Sequence, residues 1–144
     1  MNVEGKKNET VSIHIGIGNR FNSSSFGTCS CSENSMRVVY IAGAYRANTE
    51  WGIVQNIRKA EEKALELWGK GFVVLCPHKN TERFQGSLPD RVFLDGCLEL
   101  LKRCDALYLL SNWKTSEGSK EEFKLAVKLG KEIILEDEDE YQMP

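Results

Sequence analysis

The sequence predicts an α/β fold, a three-layer, Rossmann- or flavodoxin-like open parallel sheet of four to five strands. Two observations predict this fold. Short apolar runs without polar alternation, typical of strands buried on both faces, recur along the chain. Between them lie longer segments in which apolar residues repeat at three- and four-residue steps, as on one helix face. This alternation implies parallel strands joined by right-handed crossover helices.

The first strand is predicted over residues 37–42 and ends at Gly43. Thr49 or Asn48 is expected to cap the helix that follows, which ends at Gly69. The buried face of this helix carries apolar residues at helical spacing, namely Ile53, Ile57, Ala60, Ala64 and Leu67.

The second half of the chain continues the alternation. Residues 72–76 are predicted as a second buried strand, followed by a loop that begins at Pro77. A helix over 90–103 leads to a third strand over 106–110. After one more helix, a fourth strand is predicted over 132–135.

The ends of the chain differ from its centre. Residues 1–35 are predicted to be a flexible extension, because their last third is rich in Ser and Asn. Gly16 and Gly18 resemble part of a dinucleotide fingerprint, but the third glycine is missing and no helical pattern follows. The folded domain is expected over 36–136. Residues 137–144 are expected to form an acidic, solvated tail.

Composition excludes several functional classes. The chain has 144 residues, with 19 Lys and Arg against 21 Asp and Glu, so its net charge of −2 gives no nucleic-acid footprint. No apolar stretch approaches the ~20 residues that span a bilayer. The five cysteines are odd in number and three lie in apolar elements, which favours free thiols in a reducing cytoplasm. Cys29 and Cys31 have no second ligand pair nearby, so zinc binding is not expected there. No other metal and no cofactor are expected.

Candidate binding residues follow three strands of the predicted sheet. Because the carboxyl ends of parallel strands meet at one edge, these residues are expected to converge there. Their side chains suit a small polar ligand with a planar part and an anionic part. The candidates are Gly43, Ala44, Tyr45 and Arg46 after the first strand, His78 and Asn80 after the second, and Trp113, Ser116, Gly118 and Glu122 after the third.

Each candidate also has an ordinary structural explanation. Tyr45 suits packing, His78 suits a loop hydrogen bond, Arg46 suits a solvated surface and Trp113 suits a cover over the sheet edge.

Glu122 has two interpretations. It forms a capping-box pattern with Ser119, which predicts a purely structural role. It also lies near the start of a helix at the ligand edge, where the helix dipole favours an ionised carboxylate.

Four segments together resemble a known family. They are Ile41-Ala42-Gly43-Ala44-Tyr45, then Pro77-His78 with Asn80-Thr81, then Cys104-Asp105-Ala106, and finally Trp113-x-x-Ser116-x-Gly118-x-x-x-Glu122-x-x-x-Ala126. This combination resembles the nucleoside 2-deoxyribosyltransferase-like proteins, and within them most closely the domain-of-unknown-function 4406 branch. The resemblance covers residues 36–136.

The resemblance implies a function on nucleosides. Glu122 would attack the anomeric carbon of a (deoxy)nucleoside or a nucleoside 5′-monophosphate, releasing the base and forming a glycosyl ester. Tyr45 would contact this nucleophile or the sugar. Ser116 and Arg46 would hold a 5′-phosphate. The family also forms oligomers, so self-association is expected.

Two positions depart from the family pattern. The family usually has an Asp eight residues before the Asp that opens the third strand, and here that position is Cys97. Asp95 and Glu99 are near, but each is about 200° away around the helix. Lys120 stands where hydrolases of the family often have Gly. These departures favour an alternative function, a nucleotide-binding or sensing module that has lost catalysis.

Overall fold

The structure, a computed structural model, describes residues 35–136. The predicted acidic tail and all but the last residue of the predicted N-terminal extension lie outside this range. The described chain contains four strands and four α-helices. In order, these are β1 (Val38–Ala42), α1 (Glu50–Gly69), β2 (Val73–Leu75), α2 (Pro77–Asn80), α3 (Asp90–Lys102), β3 (Ala106–Leu109), a 3-10 turn (Trp113–Thr115), α4 (Glu117–Lys128) and β4 (Glu132–Leu135).

The strands form one parallel sheet in the order β2-β1-β3-β4. Val39 of β1 pairs with Val74 on one side and with Ala106 on the other. The predicted parallel α/β sheet is confirmed. The predicted burial of the second strand is wrong, because β2 lies at an edge of the sheet and its residues are only half-buried.

Helices cover both faces of the sheet and give the predicted three layers. Side chains alternate along each strand, so neighbouring residues enter different cores. The core under α1 contains Val39, Ile41, Ala60, Ala64, Leu67, Cys76, Ala106, Tyr108 and Leu110. The core under α3 and α4 contains Tyr40, Ala42, Leu101, Cys104, Leu107, Leu109 and Ala126.

The helix starts are set by short polar side chains. Thr49 caps α1, and its Oγ1 accepts a hydrogen bond from the Gly52 amide at 3.0 Å. Ser116 caps α4 and accepts from the Ser119 amide at 3.3 Å. The predicted capping box is therefore wrong. The extended backbone of Ser116 starts α4 three residues earlier, which leaves Ser119 inside the helix and Glu122 in its second turn.

Residues 77–80, predicted as the start of a loop, form the single helical turn α2, with Pro77 at its first position. No helix in residues 35–136 combines the length and apolar character needed to cross a membrane.

Candidate active site

A cavity of about 350 Å³ opens at the carboxyl edge of the sheet. Its walls come from β1 and the loop after it, from α2, from α3 and from the first turns of α4. Several residues predicted to bind a ligand line this cavity, namely Gly43, Tyr45, Arg46, His78, Ser116, Gly118 and Glu122. Convergence at this edge follows from parallel topology, because every strand delivers its carboxyl end to the same side.

We define the floor of the cavity as Cys97 and Glu122, which line it, together with Tyr40, which lies directly behind Glu122. Tyr40 and Glu122 are buried and Cys97 is half-buried. Glu122 is only 7% exposed. The Tyr40 hydroxyl donates a hydrogen bond to Glu122 Oε1 at 2.5 Å. Tyr40 reaches Glu122 because it lies on the face of β1 that is covered by α3 and α4. The Tyr40 hydroxyl therefore fixes the orientation of the Glu122 carboxylate.

Burial dominates the electrostatics of the floor. It raises the pKa of Glu122 to about 7; the hydrogen bond from Tyr40 lowers this pKa and the neighbouring Glu121 raises it. Burial, and then the Glu122 charge, raise the pKa of Tyr40 far above its usual range. Burial also raises the pKa of the Cys97 thiol. At neutral pH, Tyr40 and Cys97 are therefore protonated while Glu122 is close to half-ionised.

Tyr45 forms no hydrogen bond with Glu122 in the described part of the chain, and its predicted contact with the nucleophile or the sugar stays a prediction. Its hydroxyl donates instead to Gln85 Oε1 at 2.7 Å, and its ring centroid lies 5.8 Å from that of His78. Sequence reasoning missed Tyr40 because a tyrosine in a buried strand is expected to be packing. The available signal was its hydroxyl, since a buried tyrosine normally needs a hydrogen-bond partner.

The loop after β1 is held by side-chain amides that sequence reasoning did not single out. Asn112 Oδ1 accepts from the Ala44 amide at 3.1 Å, and Asn112 Nδ2 donates to Asn56 at 3.2 Å. Asn56 in turn donates to the Tyr45 and Arg46 carbonyls, each at 3.3 Å. This network fixes the loop against α1, so Ala44 supports the site through its backbone and does not line the cavity.

Gly43 and His78 complete the wall beside this loop. A Cβ on Gly43 would lie 2.6 Å from Leu110 Cδ1, so close packing requires glycine there. His78 is 4% exposed and its Nε2 donates to the Ala44 carbonyl at 3.2 Å. Burial lowers the pKa of His78, which is therefore neutral at pH 7. Its buried Nδ1 has no hydrogen-bond partner among residues 35–136.

The rim of the cavity, which we define by two arginines and their acidic partners, is exposed. Arg46 forms an ion pair with Asp90. Arg91 pairs with Asp95 at 2.7 Å and with Glu121 at 2.9 Å. The rim arginines are therefore each matched by carboxylates before any ligand arrives.

Comparisons with known proteins identify the family of this chain. The family described as "Domain of unknown function (DUF4406)" matches residues 37–135. The chain belongs to this family. A search of curated protein sequences found no matching relative. The structure is similar to "2-desoxiribosyltransferase from Leishmania mexicana", with a TM-score of 0.51 and 18% identity, over 69% of this chain and 63% of that chain. The predicted deoxyribosyltransferase-like fold is therefore confirmed.

Besides Ala44, two predicted binding residues of this DUF4406 protein do not line the cavity. Trp113 packs on Phe123, with 4.9 Å between ring centroids, and covers the core under α3 and α4. Asn80 is exposed on α2. His78 and Asn80 are two residues apart in a helical turn and so point about 200° apart. When His78 faces the cavity, Asn80 faces away.

The donor set of the site does not resemble a metal centre. Residues 35–136 contain no group of three His, Cys, Asp or Glu side chains arranged to hold a metal ion. Cys97 lies at the floor as a free thiol, beside the Tyr40 hydroxyl and the Glu122 carboxylate. The floor therefore offers one ionisable carboxylate, a phenol and a thiol.

Proposed function

We propose that this protein cleaves or exchanges the N-glycosidic bond of a (deoxy)nucleoside or nucleoside 5′-monophosphate through a covalent glycosyl-Glu122 intermediate. One observation carries the proposal: Glu122 is a buried carboxylate in the cavity wall, oriented by a 2.5 Å hydrogen bond from Tyr40. Deoxyribosyl transfer by a protein of similar fold supports the choice of substrate class. A carboxylate of this kind is the nucleophile of retaining glycoside chemistry.

The proposed reaction has two displacements. Tyr40 binds Glu122 Oε1, so attack on the anomeric carbon comes from Oε2. As the new C–O bond forms, the C–N bond breaks and the base leaves with its electron pair. Water or a second base then attacks the same carbon, and Glu122 leaves as a carboxylate. A proton released by the incoming nucleophile balances the proton taken up by the first base.

The cavity walls suit the two ends of such a substrate. Ile41, Phe93 and Leu94 offer apolar surface for a base. The amino end of α4 also lines the cavity, at Ser116 and Gly118, and helix amino ends favour anions. A 5′-phosphate placed there would compete with Asp90 for Arg46. We therefore propose the monophosphate as the preferred substrate.

The test is incubation with a panel of nucleosides and 5′-monophosphates, followed by chromatography of free base. The wild type is expected to release base from at least one member. Glu122→Gln should abolish release, because an amide oxygen does not readily form the glycosyl ester. Glu121→Gln is the matched control, since Glu121 is the next residue but pairs with Arg91 at the rim. Wild-type turnover by Glu122→Gln would exclude this nucleophile.

One observation favours a second function, nucleotide binding without turnover. Cys97 lies at the floor where the family resemblance leads us to expect a carboxylate, and a neutral thiol supplies no charge to an oxocarbenium-like transition state. Under this alternative, the wild type binds nucleotide in calorimetry but releases no base. Cys97→Asp is then expected to create base release, with Cys97→Ser as the size-matched neutral control. No ligand binding by the wild type would contradict both functions.

A further inference from the structure

An exposed stripe along α1 has the spacing of a helix-pairing seam. We define the α1 stripe as Trp51, Val54, Arg58, Glu61, Leu65 and Trp68. Successive members are three and four residues apart, the heptad spacing of a and d positions. Trp51 is 59% exposed, Leu65 74% and Trp68 50%. Large apolar side chains thus lie in water along one line of the helix.

The opposite flank of α1, which is partly exposed, is polar throughout. It carries Gln55, Asn56, Lys59, Glu62, Lys63 and Glu66. The buried face of α1 lies between the two flanks and packs on the sheet through residues such as Ile57 and Ala60. Apolar residues therefore continue from the buried face onto one flank only. A single-sided patch of this kind marks an interaction surface.

The stripe is symmetric about the midpoint between Lys59 and Ala60. A two-fold axis through this midpoint would lay a second α1 antiparallel on the first, so that residue i meets residue j and j meets i. Trp51 then faces Trp68 of the partner subunit, and Val54 faces Leu65 of the partner subunit. Arg58 faces Glu61 of the partner subunit, so an ion pair forms on each side of the axis.

We infer that α1 is a self-complementary interface through which two copies of this chain associate. The surroundings of Arg58 favour a second copy of this chain as the partner. Among residues 35–136, Arg58 has no carboxylate partner, and its guanidinium lies over Trp51, 5.6 Å from the ring centroid. Glu61 is 3.3 Å from Lys79, which also pairs with Glu82 at 2.5 Å. Lys79 thus keeps a carboxylate partner when Glu61 turns to the second copy.

The size of the stripe implies a weak dimer. An aromatic side chain can bury ~150–250 Å². Because Trp51 and Trp68 are each about half exposed, together they contribute about 200 Å² of surface per copy. With the remaining side chains of the stripe, the buried area falls at the lower end of the range for standard interfaces, which bury ~800 Å² per partner on average. Dissociation in the micromolar range is therefore expected, and the dimer is independent of the proposed function.

Sedimentation velocity of the full chain across the micromolar range tests the surface. The wild type is expected to shift from monomer to dimer as its concentration rises. Leu65→Glu should abolish the shift without changing thermal unfolding, because Leu65 is exposed in the monomer. Leu129→Glu is the matched control, since Leu129 is an exposed leucine outside the stripe. A wild type that stays monomeric, or a Leu65→Glu variant that still dimerises, overturns the proposal.

A charge exchange tests the antiparallel register. Arg58→Glu and Glu61→Arg each place like charges across the axis twice, and each should weaken association about tenfold. The double variant Arg58→Glu with Glu61→Arg restores opposite charges in an antiparallel pair and should return association to within a few-fold of wild type. In a parallel pair the double variant would keep like charges together. Failure of the double variant to recover would therefore overturn this register.

Discussion

The floor and the rim of the cavity contain similar carboxylates in opposite environments. Glu122 at the floor is buried and bonded to a neutral phenol, whereas Glu121, the next residue, is solvated and paired with Arg91. Adjacent positions on a helix point about 100° apart, so one faces the core and the other the surface. The comparison shows that burial, and not residue type, produces the unusual carboxylate. The pKa of Glu122 rises to about 7 because its charge loses water without gaining a cation.

The largest expected effect is the pH-dependent contribution of Glu122, at the floor of the cavity, to the stability of the fold. Because the folded pKa of Glu122 is about 7 against an ordinary 4.5, the folded chain binds more protons than the unfolded chain between these values. The contribution is present in full below pH 4.5 and is lost as pH rises through 7. Denaturant unfolding from pH 4.5 to 8 should show wild type losing roughly 2–4 kcal/mol relative to Glu122→Gln. Parallel curves for the two proteins would contradict the raised pKa.

The next effect is on activity. Tyr40→Phe removes a hydrogen bond to an ionised group, worth roughly 1.5–3 kcal/mol, and should slow base release about 10- to 100-fold. The hydrogen bond from Tyr40 lowers the pKa of Glu122, so the acid limb of the pH–rate profile should also move to higher pH. A slower variant with an unchanged pH profile would show that Tyr40 acts through packing alone.

A smaller effect is expected where a rim residue meets the ligand. If Arg46 holds the 5′-phosphate, Arg46→Ala should weaken monophosphate binding about tenfold and leave nucleoside binding unchanged. Calorimetry with a matched nucleoside and monophosphate measures the difference. Equal affinity of the wild type for both ligands would remove the phosphate from the proposed substrate.

The smallest effect is expected at the ion pairs of the rim that do not contact the ligand. Arg91→Ala breaks two ion pairs, but both are exposed and such pairs contribute about 0–1 kcal/mol. Unfolding stability should therefore change by less than ~1 kcal/mol, and added salt should reduce the difference further. A loss of unfolding stability as large as the one expected from Glu122 would show that the ion pairs of the rim form a network that stabilises the fold.

Local patterns in the sequence were enough to predict the framework. Four strands and their order along the chain follow from apolar runs separated by helical periodicity, and Thr49 as a cap follows from its position before that periodicity. Parallel topology then brings Gly43, His78 and Glu122 to one edge, because the carboxyl ends of parallel strands converge.

Only the tertiary structure decided how the side chains are used. Tyr40 and Glu122 are 82 residues apart, and their contact exists because α4 packs over one face of β1. A rotation of about 100–200° about a helix or a strand decides which tyrosine contacts Glu122, which serine caps α4 and in which direction Asn80 points. Sequence periodicity determines the elements and their shared edge, while side-chain direction across the core is set by packing between elements that are distant in the chain.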